Sequence, residues 1–133
     1  MAPLHDASTQ QFLTDNAARP QVTTTASGLQ YEVLEAGSGG ARPGPRSMVV
    51  THYHGTLVDG TVFDSSVTRG EPATFGVHQV IPAWTEALQL MTVGSKWRIA
   101  CPPKLAYGER GAGGVIGPNA ALVFDIHLLD IKN

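Results

Sequence analysis

The fold is decided by the segment Met48-Val-Val-Thr-His-Tyr-His54 together with Asp59-Gly60 and Thr61-Val-Phe-Asp-Ser65, which follow it closely. The first part is rich in β-branched and aromatic residues, which favour a strand. Asp-Gly is a strong hairpin signal, because both residues readily adopt the positive φ angles of a tight turn. The segment therefore predicts two antiparallel strands joined by a short connection.

The rest of the chain predicts further short strands and one internal helix. Alternating or β-rich patterns predict strands near residues 29–33, 73–77, 96–101 and 122–128. Pro82 suits the first turn of a helix, and Trp84, Leu88 and Met91 fall on one side of it, which predicts a helix over 82–91. Several strands with one central helix indicate an α+β domain, in which an antiparallel sheet wraps over the helix.

The N-terminal segment predicts a short helix and, from Val22 to Ser27, an extended linker. Ser8 and Gln11 have the spacing of a capping box, so we expect a helix from about Thr9 to Ala17. A helix of this length needs to dock on another element to be stable. We expect an N-terminal extension over residues 1–27 and one domain over residues 28–133.

Length and charge exclude several classes of function. The 133 residues suit a single domain. The net charge is -2 and the nine Lys and Arg residues are scattered, so we expect no nucleic-acid partner. No apolar run approaches the roughly 18 residues that span a bilayer, so we expect no membrane partner. Residues 1–10 lack a leader pattern, which predicts a cytoplasmic protein, or a periplasmic or secreted one if a leader peptide has been removed.

Two motifs invite a ligand-binding interpretation that their context does not support. The Gly-rich segment from Gly108 to Gly117 lacks the following helix and Lys-Ser/Thr of a phosphate loop, so we expect a loop bordering a pocket. His52 and His54 would face the same side of a strand, but two ligands do not make a zinc site. We expect ordinary strand histidines, no metal and no cofactor.

Nucleophilic catalysis has equally little support. Ser65, Ser66 and Asp64 supply ingredients of a hydrolase triad, but the chain has no Gly-x-Ser-x-Gly elbow. Cys101, the single cysteine, stands at the end of a predicted strand without a neighbouring base, which favours a buried small side chain.

The aromatic residues are spread along the chain, one to each predicted element. Spacing alone leaves open whether they fill the core or line a shared pocket. They are Tyr53, Phe63, Phe75, Trp84, Tyr107 and Phe124.

Four blocks of sequence, taken in order, resemble the FKBP-type peptidyl-prolyl isomerases over roughly Leu29 to Lys132. The blocks are His52–Ser66, Val80–Trp84, Leu105–Gly108 and Leu122–Phe124. Residues 12–16, 28–31 and 86–90 further resemble the macrophage infectivity potentiator branch. The resemblance implies a strongly twisted antiparallel sheet wrapped around one short central helix, with a short N-terminal helical extension. It also implies catalysis of X-Pro bond rotation to assist folding; the alternative is a chaperone or effector that binds proline segments with little turnover.

Carried over position by position, the resemblance implies a proline-binding pocket with Trp84 as its floor and Phe63 and Phe124 as its walls. It implies that the Ile81 N–H and the Tyr107 hydroxyl donate to substrate carbonyls. The implied catalytic residues are Tyr53, Phe63, Asp64, Trp84, Tyr107 and Phe124, and the implied substrate-binding residues are Gln79, Val80, Ile81, Val115 and Ile116.

The resemblance also implies partners, namely proline-containing polypeptides and inhibitors of the rapamycin and tacrolimus type. Members of the branch often carry a long N-terminal dimerisation region, whereas about twenty residues precede the domain here, so we expect a monomer. Ala73, Ala83 and Ala112 replace the Phe, Gly and bulky residue that are common in the family. Inhibitor affinity and the preferred residue before proline are therefore left open.

Overall fold

The computed structural model contains one antiparallel sheet and three helices. It describes residues 4–37, 40–108, 110–111, 116 and 120–132, with side chains from residue 10 onward. Short 3₁₀ turns cover Val77–Gln79 and Pro103–Leu105. In chain order the elements are α1 Leu4–Ala17, β1 Thr23–Thr24, β2 Gln30–Glu35, β3 Met48–Leu57, β4 Val62–Ser65, α2 Ser66–Arg69, β5 Ala73–Gly76, α3 Pro82–Leu90, β6 Lys96–Cys101 and β7 Leu122–Lys132.

Strand β3 is the centre of the sheet. The strand order is β1-β2-β6-β7-β3-β4, all pairs are antiparallel, and β5 also pairs with β3. On one side β3 pairs with β7 from Met48 to Leu57. On the other side its first half pairs with β5 and its second half with β4. The predicted α+β architecture is confirmed.

Alternation along the strands creates an inner and an outer face of the sheet. Val49, Thr51 and Tyr53 of β3 are buried, while the intervening His52 and His54 are only partly buried, because successive side chains point to opposite faces. Strand β7 contributes its own buried row, Leu122, Phe124, Ile126 and Leu128. Helix α3 belongs to the same core.

Helix α3 is placed by a proline at one end and by burial of one side. Pro82 is its first residue after the N-cap Ile81, and the fixed φ of proline suits that position. Ala83, Trp84, Ala87 and Leu88 are buried in the core. Trp84 therefore lies in the first turn, where α3 meets the sheet.

Helix α1 begins at Leu4, about five residues before the predicted start, and ends at Ala17 as predicted. A capping box marks a possible first turn, but residues 4–8 contain no Gly or Pro that would stop the helix there. The helix docks on β2 through Gln30, which is 5% exposed. The Gln30 side chain accepts from Asn16 Nδ2 at 2.7 Å and donates to the Leu13 carbonyl at 2.9 Å.

Three other elements differ from expectation. Thr23–Thr24, predicted as linker, pairs with β2. Helix α2 is a single turn, too short for a periodic pattern to reveal it. Strand β7 was predicted to end at Leu128, but it runs to Lys132. The alternation of buried and exposed residues breaks at Leu128-Leu129, and a register shift opposite Val50 and Thr51 lets the strand continue past this break.

Replacing Gln30 should loosen α1. In Gln30→Ala the Asn16 amide and the Leu13 carbonyl lose a buried partner, so we expect a loss of about 1 to 3 kcal/mol in the free energy of unfolding. Denaturant unfolding measures this loss, and amide exchange in α1 should accelerate. Gln11→Ala is the matched control, because the Gln11 side chain bonds to exposed Asp15 of the same helix and not to the sheet that the structure describes. Equal effects of the two variants would contradict the docking role.

Candidate active site

A cleft of about 420 Å³ opens where the first turn of α3 meets β3, β4 and β7. Six of its lining side chains are aromatic, and only Asp64 carries a charge. The lining residues are Tyr53, Phe63, Asp64, Phe75, Gln79, Val80, Ile81, Trp84, Tyr107 and Phe124.

The two walls of the cleft meet above Gly55. Gly55 pairs with Phe124 of β7 on one side and with Asp64 of β4 on the other, and an irregularity in the β3–β4 register accommodates Phe63. The Phe63 and Phe124 rings are perpendicular, with centroids 5.4 Å apart. A Cβ on residue 55 would lie 2.7 Å from Phe63 Cζ and 2.8 Å from Phe124 Cε1. The walls therefore require glycine at this position.

Trp84 forms the floor. Its ring makes perpendicular contacts with Tyr53, Phe75 and Phe124, at centroid distances of 5.3, 5.4 and 5.3 Å. Aromatic pairs favour this edge-to-face geometry. The Trp84 ring is thus held by three neighbours from three strands, which makes the floor rigid and apolar.

One corner of the cleft is polar. The Tyr53 hydroxyl donates to Asp64 Oδ2 at 2.6 Å. Arg69, at the end of α2, donates to Asp64 Oδ1 at 2.6 Å and to the Tyr53 hydroxyl at 3.0 Å. The three side chains form a closed triangle in which the carboxylate charge is balanced by the guanidinium.

The triangle keeps its members in single protonation states near neutral pH. Burial tends to raise the pKa of Asp64, but the hydrogen bonds from Tyr53 and Arg69 outweigh it, and the pKa lies below its ordinary value of 3.8. Burial is also the main reason that the pKa of Tyr53 is raised above 10.0. Asp64 is therefore a carboxylate and Tyr53 a phenol across the neutral range.

The Ile81 N–H and the Tyr107 hydroxyl are hydrogen-bond donors at the cleft. The Ile81 N–H has no acceptor within the part of the chain that the structure describes, as expected before the first turn of a helix. Tyr107 is 39% exposed, and burial of the rest of the side chain raises the pKa of its hydroxyl. Both groups can donate to a bound carbonyl.

The family model described as "FKBP-type peptidyl-prolyl cis-trans isomerase" matches residues 39–129. The chain belongs to this family. A second model, "Domain amino terminal to FKBP-type peptidyl-prolyl isomerase", matches residues 3–33. The division of the chain at residue 27 stays a prediction.

Individual FKBP-type proteins match most of the chain. It is 54% identical over 121 residues to "Outer membrane protein MIP" of Legionella longbeachae, covering 91% of this chain and 52% of that protein. The crystal structure of FkpA from Escherichia coli superposes with a TM-score of 0.91 at 44% identity, over 96% of this chain and 59% of that one. A peptidyl-prolyl cis-trans isomerase from Pseudomonas syringae pv. tomato superposes with a TM-score of 0.90 at 35% identity, over 100% and 99%.

These matches confirm the resemblance to the FKBP family and to its macrophage infectivity potentiator branch. The chain spans about half the length of the curated relatives it matches.

Most of the residues implied by the FKBP resemblance meet in the cleft, although their roles stay predictions. Val115 lies outside the described residues. Ile116 is 8% exposed and packs in the core cluster, and it is not among the residues that line the cleft. The residues that do line it are Tyr53, Phe63, Asp64, Gln79, Val80, Ile81, Trp84, Tyr107 and Phe124.

Two residues of the cleft region were not predicted. Phe75 stood in the aromatic inventory, and it lines the cleft because β5 pairs with the first half of β3. Arg69 carried no sequence signal of a role. It reaches Asp64 only because one helical turn brings it back over β3.

The histidines and the cysteine of the alternative motifs do not line this cleft. His52 and His54 face the outer side of the sheet, and their rings bond to Ser66 and Ser65. No group of three metal-ligating side chains occurs among the residues described. Cys101 is fully buried, and burial raises the pKa of its thiol. The Gly-rich segment 108–117 falls largely outside the described residues.

Substituting Gly55 should damage the cleft more than the fold. In Gly55→Ala the Phe63 and Phe124 rings must separate, so we expect at least about a tenfold loss of kcat/KM in isomerisation of a proline tetrapeptide. Gly44→Ala is the control, because a Cβ there would have only an ordinary contact, 3.7 Å from Ser47 Oγ. Unchanged activity in Gly55→Ala would refute the close-approach argument.

The catalysed rate should be independent of pH between about pH 5.5 and 8.5. The pKa of Asp64 in the folded chain is lowered from its ordinary value of 3.8. The stabilisation that its carboxylate provides is therefore present above pH 3.8 and is lost only as the pH falls through the lower folded-state pKa. The raised pKa of Tyr53 keeps its loss of a proton above 10.0. The measurement is the cis-to-trans rate across this range, and a bell-shaped profile would contradict the assignment.

Proposed function

We propose that this chain is an active peptidyl-prolyl cis/trans isomerase that holds the proline ring of an X-Pro segment on Trp84, between Phe63 and Phe124. The observation that carries the proposal is the apolar aromatic cleft with, at its edge, the Ile81 N–H, which has no acceptor among the described residues. The aromatic rings would contact the proline ring, while the N–H and the Tyr107 hydroxyl would bind the flanking carbonyls. Membership of the FKBP family supports the same assignment.

The reaction requires no bond to be broken. The X-Pro imide resists rotation because of its partial double bond, with a barrier of about 18 to 20 kcal/mol. Resonance is lost in the twisted transition state, so the imide becomes less dipolar and suffers less from transfer into an apolar cleft. The aromatic floor and walls would therefore bind the twisted state better than the planar one.

Magnitudes indicate that shape and desolvation carry most of the effect. A roughly thousandfold acceleration needs about 4 kcal/mol. One or two hydrogen bonds at about 0.5 to 1.5 kcal/mol each do not reach that value. Asp64 would organise Tyr53 and Arg69, and it would not act as a base, since its charge is already paired.

The substrates would be proline-containing polypeptides, and rapamycin or tacrolimus would compete for the cleft. We also propose that the chain is a monomer. Among the side chains that the structure describes, the large exposed apolar ones, such as Val33, Val62 and Leu90, are distributed over different elements and form no row along any one of them. An extended apolar patch would be expected at a stable interface.

No helix in the described ranges is long and apolar enough to cross a membrane. The name of the relative from Legionella longbeachae places that protein at the outer membrane. This name supports the periplasmic or secreted alternative and gives no support to the cytoplasmic expectation. We propose that the protein acts outside the cytoplasm.

The test is the cis-to-trans rate of a proline tetrapeptide with catalytic amounts of protein, with and without rapamycin. We expect acceleration that rapamycin abolishes. Rapamycin binding without acceleration would favour a proline-binding module over an enzyme. The absence of both rapamycin binding and acceleration would refute the proposal.

A conservative pair of variants locates the activity. Tyr107→Phe removes one hydrogen bond to substrate, so we expect kcat/KM to fall by about two- to tenfold. Tyr31→Phe is the matched control, because Tyr31 stacks on Trp97, 4.2 Å away, and does not line the cleft. An unchanged rate in Tyr107→Phe would show that the Tyr107 hydroxyl does not contribute to catalysis.

A further inference from the structure

Tyr53 is held at its backbone as well as at its hydroxyl. Ser66 Oγ accepts a hydrogen bond from the Tyr53 N–H at 2.7 Å. The hydroxyls of Ser66 and Ser65 lie 3.3 and 3.4 Å from the Tyr53 carbonyl oxygen. Neither serine lines the cleft, and both are buried.

These hydroxyls replace a missing strand partner. Strand β4 pairs with β3 as far as Ser65 opposite His54, and the chain then turns into α2. The N–H and carbonyl of Tyr53 face this edge, where the pairing with β4 has ended. Buried backbone groups need partners, and at Tyr53 the serine side chains provide them.

The same serines set the position of α2. Ser65 is its N-cap and accepts from the Thr68 N–H at 3.2 Å. A single helical turn is unstable by itself, so its geometry depends on such caps. Arg69 is the last residue of the turn, and from there it reaches both Asp64 and the Tyr53 hydroxyl.

Each serine also has a histidine partner on the outer face. His52 Nδ1 lies 2.9 Å from Ser66 Oγ, and His54 Nδ1 lies 2.9 Å from Ser65 Oγ. The hydroxyls are therefore bonded on more than one side, which limits their rotation. A buried hydroxyl with several partners holds its neighbours in one arrangement.

We propose that Ser65 and Ser66 are positioning residues of the isomerase site, which hold the Tyr53 backbone and α2 so that Tyr53, Asp64 and Arg69 form their closed triangle. The proposal rests on the proposed function. The serines do not touch substrate; they act through Tyr53, whose ring packs edge-to-face with Trp84 at a centroid distance of 5.3 Å. Active sites lose rate when supporting residues let their parts move.

The principal test compares two buried serines. Ser66→Ala removes the acceptor for the Tyr53 N–H, whereas Ser95→Ala removes a hydroxyl that donates to the Thr92 carbonyl at 2.6 Å, in the turn between α3 and β6. We expect kcat/KM to fall about tenfold in Ser66→Ala and to stay within about twofold of the parent in Ser95→Ala. Both rates are measured at temperatures where unfolding curves show the variants fully folded. Equal rates would overturn the proposal.

A second readout does not depend on activity. The bonds from Tyr53 and Arg69 lower the pKa of Asp64, so loosening the triangle should move that pKa back toward 3.8. Carboxyl carbon NMR titration should show this rise in Ser66→Ala and not in Ser95→Ala. An unchanged Asp64 titration in Ser66→Ala would overturn the positioning role. If the parent chain did not accelerate isomerisation, the proposed function would be wrong. The Asp64 titration would still decide whether the serines hold Tyr53, Asp64 and Arg69 in their triangle.

The N-cap provides a rescue experiment. Ser65→Ala should lower kcat/KM and raise the pKa of Asp64, whereas Ser65→Thr keeps a capping oxygen and should restore both toward parent values. If Ser66→Ala does not fold, this pair decides the question. Ser65→Ala with parent-like rate and Asp64 titration would overturn the proposal.

Discussion

The pairing of β3 with strands on both of its sides is the constraint on which the rest of the structure depends. Strand β7 runs beside it from end to end, while β5 and β4 divide its other edge. Because side chains alternate, this pairing sends Val49, Thr51 and Tyr53 inward against α3 and sends His52 and His54 outward. A slip of one residue would exchange the two sets and dismantle the core.

The cleft arises where this regular pairing is interrupted. Gly55 leaves room for two phenylalanine rings, and the irregularity beside it accommodates Phe63 of β4. Immediately afterwards β4 ends, so the backbone of Tyr53 depends on serine hydroxyls. The apolar walls and the polar triangle are thus consequences of the same local departure from ideal sheet geometry.

The cleft suits a reaction that depends on an apolar environment more than on a reactive side chain. Its aromatic surface is rigid because Trp84 is held by three perpendicular rings. Its one carboxylate is already paired with Arg69, which removes a general base from the site and leaves a charge-balanced corner. The proposed selectivity for the twisted imide would follow from desolvation and shape.

From the sequence by itself, the α+β class and the helix after Pro82 could be predicted, because alternation, proline and hairpin signals are local. The FKBP family and most residues of the cleft came instead from the resemblance of four ordered blocks to that family. Local signals did not reveal that α1 starts at Leu4, that Gln30 docks it, or that Ile116 packs in the core. Only the tertiary structure brought Phe75 and Arg69 to the cleft and the serines to Tyr53. These contacts depend on strand register and on one helical turn, and no short-range pattern encodes which residues a register places opposite each other.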